Sequence, residues 1–151
     1  MRHAMIAGLV LTLAACAQPT PRPAPRVEYV HVPYDTAVAR TVAFFHMQHI
    51  PIQRMDTITG QIDSPLYQAF LRNAGTWALC EGPYYPWTTT IQIRFSVVLR
   101  NAGDSTGLQS TVDAFGAWYH NERIACNTTG IFEADLPVYL AAPSAIAALS
   151  S

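Results

Sequence analysis

The feature that most constrains the fold of this 151-residue chain is a long alternation of apolar and polar residues near its centre. From residue 87 to residue 100, every second position is apolar or threonine, and all but one of the positions between them are polar. Successive side chains of a β-strand point to opposite faces, so this pattern predicts an antiparallel strand with one buried and one wet face. The expected buried series is Trp87, Thr89, Ile91, Ile93, Phe95, Val97 and Leu99.

A second alternating run follows a connection, residues 101–107, that is rich in turn-forming Gly, Asn and Asp. Its expected inward series is Leu108, Ser110, Val112, Ala114, Gly116 and Trp118. Two such runs joined by a short turn-rich segment predict one long β-hairpin.

Shorter patterns precede this hairpin. We expect a first strand in which Val27 and Tyr29 alternate with Glu28 and Val30, and then a helix over residues 36–48 with Asp35 as its N-cap. Pro51 lies beyond the end of that helix.

Residues 50–55 and 60–63 are predicted to be two strands joined by a tight turn, in which Gly60 supplies a positive φ. Leu66, Phe70 and Leu71 are spaced for a short helix.

A final helix is expected from Ile131, and Pro137 should keep it short or kinked. The order of elements predicts an α+β fold, with an antiparallel sheet of four or five strands and helices packed on one face.

Half of the residues are hydrophobic and 13% are charged, which allows a buried core. The net charge of −1 and the absence of basic clusters argue against a nucleic-acid partner.

The N-terminal segment carries a targeting pattern. Arg2 precedes an apolar run over residues 4–13, which is followed by Leu13-Ala14-Ala15-Cys16. This arrangement resembles the lipobox of bacterial lipoproteins. The resemblance implies that residues 1–15 are a signal peptide and that Cys16 carries diacylglycerol and further acyl chains such as palmitate. The alternative is an ordinary secretory signal with an incidental cysteine.

Four prolines in residues 17–26 predict an extended spacer, so residues 16–26 are interpreted as a lipidated tether. The remaining segments are an α+β periplasmic domain, residues 27–141, and an Ala/Ser-rich tail, residues 142–151. Ala17 stands where retention signals of well-studied Gram-negative lipoproteins have Asp. By resemblance, this implies the periplasmic face of the outer membrane, with exposure at the cell surface left open.

If Cys16 is lipidated, Cys80 and Cys126 remain as a pair in a compartment where disulfides persist. We therefore predict a disulfide between them, which ties the start of the long hairpin to the segment before the last helix. The alternative of a catalytic thiol finds no adjacent base or helix start at Cys80.

Other candidates for chemistry are few. His46 and His49 are three positions apart on the predicted helix, but a metal site needs further ligands, and none stands at motif spacing. Asp56 and Asp63 flank the predicted turn as a conceivable carboxylate pair, although turn chemistry explains Asp56 by itself. We expect no catalytic residue, no metal and no cofactor, so a hydrolase or metalloprotein is the least favoured interpretation.

An aromatic, proline-bounded stretch contains Tyr84, Tyr85 and Trp87. Exposed aromatic clusters bind sugars or proteins, and buried ones cover the end of a core. A glycan- or lipid-binding module that uses residues 84–87 is therefore the alternative function.

Two further segments carry a family resemblance. Residues 126–133, with Cys80 upstream, are similar to a Cys-x-[Ser/Thr]-Thr-Gly-x-x-Glu segment of small proteobacterial-type lipoproteins. Residues 36–63 resemble the helix and Gly-x-Ile hairpin of the small domains in a lipoprotein component of the outer-membrane barrel-assembly machinery. The resemblance implies an envelope lipoprotein with a helix-on-sheet fold, and it carries over no catalytic residue. The lipid anchor, the spacer, one disulfide-tied domain and the lack of a catalytic constellation together favour a non-enzymatic lipoprotein that acts through a protein partner in envelope assembly or maintenance.

Overall fold

The computed structural model describes residues 26–69, 76–80, 90–117 and 123–142. The complete elements within these ranges are, in chain order, β1 (Glu28–Val30), α1 (Tyr34–Met47), β2 (Arg54–Asp56), β3 (Gln61–Asp63), β4 (Tyr67–Ala69), β5 (Ala78–Leu79), β6 (Thr90–Asn101), β7 (Thr106–Ala117), β8 (Arg123–Ala125), β9 (Asn127–Thr128) and α2 (Ile131–Ala141). Together they form the predicted α+β fold.

The main sheet is antiparallel and is built around β6 and β7, which pair over their full length from Thr90–Ala117 to Asn101–Thr106. On the outer edge of β6, β3 and β4 pair with different stretches, and β2 pairs with β3. On the outer edge of β7, β1 and β8 are likewise placed one after the other. Within the described ranges the sheet thus has seven strand segments instead of the four or five predicted, and at most five of them lie side by side.

The predicted alternation of the long hairpin is confirmed. In β6, the five odd-numbered apolar side chains are buried, and the even-numbered ones between them are intermediate or exposed. In β7, Leu108, Val112 and Ala114 are buried on the same side, and Gly116 is buried at its end. Trp87, Thr89 and Trp118 lie outside the described residues.

Both helices pack on this apolar face. Phe132 of α2 lies at the centre of the core, with its ring centroid 4.6 Å from that of Phe95 and 5.8 Å from that of Phe44. Trp77 also packs edge-on against Phe95 and Phe132. The opposite face of the sheet is not covered by any element of the described chain.

The predicted disulfide is confirmed. The antiparallel pairs Ala78–Thr128 and Leu79–Asn127 of the small β5–β9 sheet bring the next residues, Cys80 and Cys126, opposite each other. Both cysteines are buried, so the bond belongs to the core and not to an accessible reactive site.

Two local predictions about α1 and the segment after β3 are wrong. Asp35 is not an N-cap: α1 begins at Tyr34, after Pro33, and Asp35 lies in its first turn. Residues 67–69 are strand β4 and not part of a short helix, because β3 pairs only with residues 96–98 of β6 and leaves its edge over residues 91–93 to β4. Phe70 and Leu71 lie outside the described residues.

One strand boundary also differs from expectation. The strand expected over residues 50–55 begins only at Arg54, since Pro51 lacks the N–H that a ladder requires. The last helix begins at Ile131, as predicted, contains Pro137 and ends at Ala141 after 11 residues.

Candidate functional site

The uncovered face of the sheet, called the open face below, is polar. Strand register places Arg54, Asp63, Ser96 and Thr111 in one row across β2, β3, β6 and β7. Arg94 and Asp113 face each other in an adjacent row of β6 and β7. A groove of ≈ 630 Å³ runs over these residues.

Internal hydrogen bonds fix Asp63 in the floor of this groove. Its Oδ1 accepts a hydrogen bond from the Ser96 hydroxyl at 2.6 Å, and its Oδ2 accepts one from Gln61 Nε2 at 2.8 Å. Next to it, the buried Ser64 hydroxyl accepts the backbone N–H of Phe95 at 2.8 Å. Both oxygens of the Asp63 carboxylate therefore have donors within the protein.

The second carboxylate of the groove is held by an ion pair. Arg94 Nη2 lies 3.1 Å from Asp113 Oδ2, and the two side chains are 52% and 32% exposed. An exposed pair of this kind adds little stability, since both ions remain hydrated. Its main consequence is positional, because it holds the Arg94 guanidinium and the Asp113 carboxylate against each other across β6 and β7.

One end of the open face carries an exposed tyrosine. Tyr29 is 65% exposed, and strand pairing places it opposite Gly107, which in turn faces Arg100. A Cβ atom on Gly107 would lie 3.5 Å from the Tyr29 ring and 3.7 Å from Arg100 Cβ. The tyrosine ring therefore lies over the glycine and close to the stem of Arg100.

A second groove, of ≈ 580 Å³, lies between α1 and the β2–β3 hairpin. Val38, Val42 and the half-exposed Met55 line it, and Tyr34 holds the hairpin to the helix by donating its hydroxyl to the Thr57 carbonyl at 2.7 Å. This groove is mainly apolar and has no cluster of charged side chains.

The histidines proposed from sequence do not share a helix face. His46 is exposed in the last turn of α1, whereas His49 lies beyond the helix end with a φ of 55°. Among the residues that the structure describes, no group of three or more His, Cys, Asp or Glu side chains could hold a metal ion.

Asp56 and Asp63 lie on the open face but have separate roles. Strand register pairs Asp56 with Gln61 and Asp63 with Arg54, so the two carboxylates are not directly opposite. Hydrogen bonds from the Thr59 hydroxyl and from the backbone N–H groups of Thr59 and Ile58 lower the pKa of Asp56. Asp56 is thus a turn-forming residue, as its sequence context also indicated.

Glu133 is a residue whose environment the sequence does not reveal. Its carboxyl group lies near the backbone N–H groups of Glu133 itself and of Val112, and its Oε2 is buried without a hydrogen-bond partner among the described residues. Burial raises the pKa of this carboxyl group above its ordinary value. The helix dipole by itself accounts for an acidic residue near a helix start, and no local signal in the sequence indicates that Glu133 lies against β7.

Four of the site predictions fall outside the described residues. They are the lipidation of Cys16 and the binding role of Tyr84, Tyr85 and Trp87, and they stay predictions. No helix in the described ranges combines the length and apolar character needed to cross a membrane.

Comparison with known proteins does not assign the chain to a family. No protein-family model matches the sequence, and the search of curated proteins finds no match.

Proposed function

We propose that this chain is a non-enzymatic, lipid-anchored lipoprotein of the periplasmic face of the outer membrane, which acts through protein contacts in envelope assembly or maintenance. The Leu-Ala-Ala-Cys sequence at residues 13–16 supports the anchor. The open face of the sheet is the proposed contact surface.

The observation that carries this proposal is the one-sided covering of the sheet. The helices bury the apolar face, and the open face leaves Tyr29, Arg54, Arg94 and Arg100 at the surface. Tyrosine and arginine are the residue types enriched at the energetic centres of protein interfaces. The hydrogen bonds of Asp63 and the Arg94–Asp113 pair hold part of this surface in place before binding, which reduces the entropy lost on association.

Site-specific photo-crosslinking tests the contact surface. A photoreactive residue at Gln53, exposed beside the groove, should give a reproducible protein adduct in intact cells. The matched position is Ala134, exposed on α2 in the helical layer, and it should not give that adduct. If no protein adduct forms from Gln53, or the same adduct forms from both positions, the proposed contact surface is wrong.

The anchor is tested separately. We expect Cys16→Ala to move the protein out of the outer-membrane fraction and to abolish incorporation of labelled palmitate. Cys80→Ala combined with Cys126→Ala keeps Cys16 and should keep the label. Palmitate incorporation that survives Cys16→Ala would contradict lipidation at this residue.

A further inference from the structure

We propose that the open face binds a carboxylate-bearing segment of the partner protein, through the guanidinium groups of Arg54 and Arg100. This inference depends on the proposed function, and it adds the chemistry of the partner. It follows from which hydrogen-bonding groups of the open face are already satisfied within the protein and which are not.

The carboxylates of the open face are engaged internally. Asp63 receives donors on both oxygens, Asp113 is paired with Arg94, and Asp56 accepts two backbone N–H groups of its own turn. These internal donors occupy part of the hydrogen-bonding capacity of each carboxylate. A basic segment would therefore meet carboxylates that are already partly engaged.

Two arginines of the same face are not engaged in this way. Arg54 and Arg100 are exposed, and within the described part of the chain neither makes a hydrogen bond or an ion pair. Arg54 has only an electrostatic attraction to Asp56. The donors left for a partner are thus guanidinium groups, whose planar arrangement of N–H groups matches a carboxylate in bidentate geometry.

The spacing of the two arginines favours a polypeptide over a single small anion. Arg54 lies two strands from β6 at the level of Ser96, and Arg100 lies four residues further along β6. With strands about 4.8 Å apart and a rise of about 3.3 Å per residue, their Cα atoms are about 16 Å apart. A single phosphate or lipid headgroup would require both arginine side chains to lean towards each other along the sheet, whereas acidic residues four or six positions apart, on one face of an extended segment, are about 13–20 Å apart and meet each arginine where it stands.

A binding assay with a defined peptide tests the proposal. The probe is a dye-labelled synthetic peptide with two glutamates on one face of an extended segment, four or six positions and so about 13–20 Å apart, and the matched probe has glutamine at both positions. The full chain, purified in detergent, should bind the glutamate peptide, and added salt should weaken the binding. We expect the double variant Arg54→Gln/Arg100→Gln to lose about tenfold or more in affinity, equivalent to about 1.4 kcal/mol.

A charge-matched variant controls for a general field effect. Ala134→Glu combined with Val138→Glu shifts the net charge by as much as the double Arg→Gln variant, but both positions are exposed on α2, and this variant should leave the affinity within about twofold. Since Arg54 and Arg100 are exposed and make no internal ion pair within the described ranges, their variants should unfold at the wild-type temperature. Equal binding of both peptides, or no effect of the double variant, would overturn the proposal. Stronger binding to anionic phospholipid vesicles than to the glutamate peptide, lost in the same variant, would also overturn it, in favour of lipid.

The crosslinking experiment separates this inference from the proposed function. In cells, Arg54→Gln/Arg100→Gln should abolish the adduct formed from Gln53. An adduct that persists in the double variant would leave the protein contact standing and remove the carboxylate recognition. Absence of any adduct in the otherwise wild-type chain would remove the proposed function itself.

Discussion

At the scale of single residues, Glu133 joins the last helix to the edge of β7. β1 and β8 pair with residues 106–108 and 115–117, so the stretch of β7 between them has no strand partner on that side among the described residues. The Glu133 carboxyl group lies near the backbone N–H of Val112 in this gap, and the Ala114 carbonyl accepts the N–H of Cys126 at 3.2 Å. The cost of this arrangement is a carboxylate oxygen buried without a partner in the described part of the chain.

This environment predicts an unusual pH dependence of stability. Because burial raises the pKa of Glu133 above 4.5, the folded state holds the proton at pH values where the unfolded chain has lost it. The contribution of Glu133 to stability is therefore most favourable below the unfolded pKa, and it decreases as pH rises through the raised folded value. Glu133→Gln keeps an acceptor for Val112 and removes the titration.

We expect Glu133→Gln to unfold at a higher urea concentration than the wild type at neutral pH, and at a similar concentration below the unfolded pKa. Urea titrations at both pH values measure this difference. The control is Asp135→Asn, which removes an exposed carboxylate from the same helix and should not reproduce the gain. If the Glu133→Gln variant were less stable than the wild type at neutral pH, the prediction would be wrong, because the folded state would then favour the ionised carboxylate of Glu133.

At the scale of elements, the β2–β3 turn is fixed by a close backbone approach. Gly60 has a φ of 72°, and its carbonyl accepts the N–H of Leu99 at 2.9 Å. A Cβ atom at Gly60 would collide with the Leu99 carbonyl oxygen, and no flexible side chain there could move aside. Gly103, in the β6–β7 turn, has a similar φ of 78° but open space around it.

These two glycines form a matched pair for mutation. Gly103→Ala should cost roughly 1–2 kcal/mol of unfolding free energy, from the left-handed backbone alone. Gly60→Ala should cost about 1–3 kcal/mol more, because it adds the steric collision to a similar strain. Denaturant unfolding of both variants isolates the collision. Equal losses in the two variants would mean that the hairpin moves away from β6 without cost.

The elements also show how far the sequence predicts this fold. The alternation of β6 and β7 identified the hairpin and its buried face, since a period of two is a local property of the chain. β4 was missed because residues 67–69 are a strand only through pairing with the part of β6 that β3 leaves uncovered. That requirement arises from strand lengths in the assembled sheet, and no local pattern encodes it.

The candidate site was less predictable than the fold. Residues such as Arg94 and Ser96 were assigned correctly to the wet side of the long strand, but their partners depend on register. The bonds from Ser96 and Gln61 to Asp63 connect residues on two strands, and Glu133 reaches Val112 from a helix. The distinction between engaged carboxylates and available arginines therefore required the three-dimensional structure.

At the scale of the whole molecule, the disulfide is the predicted link between residues that are far apart in the sequence. Cys80 and Cys126 are 46 positions apart, and the segment between them contains both long strands. The β5–β9 sheet beside the bond has only two paired positions on each strand, so it contributes few hydrogen bonds of its own. The covalent link adds to the hydrogen bonds that Thr129 donates to the carbonyls of Trp77 and Thr76 in joining residues 76–80 to the segment that leads to α2.

Removal of this bond should lower stability substantially. The chain-entropy relation for a loop of this length gives about 4 kcal/mol, and Cys80→Ala/Cys126→Ala should approach that loss. Differential scanning calorimetry of the double variant, and of the wild type with reductant, measures the effect. An unchanged melting temperature in both samples would contradict this prediction. It would mean that the disulfide does not restrict the unfolded chain more than the chain restricts itself.

The arrangement of short strands end to end has a consequence for self-association. The two twelve-residue strands are interior, and the outer edges are made of three-residue segments, with Glu133 placed in the gap along β7. A long, straight, exposed edge is what allows sheets of separate molecules to join into aggregates. Along the described edges, another copy finds only three successive residues in line, so growth into cross-β fibres is disfavoured even when many copies are crowded together.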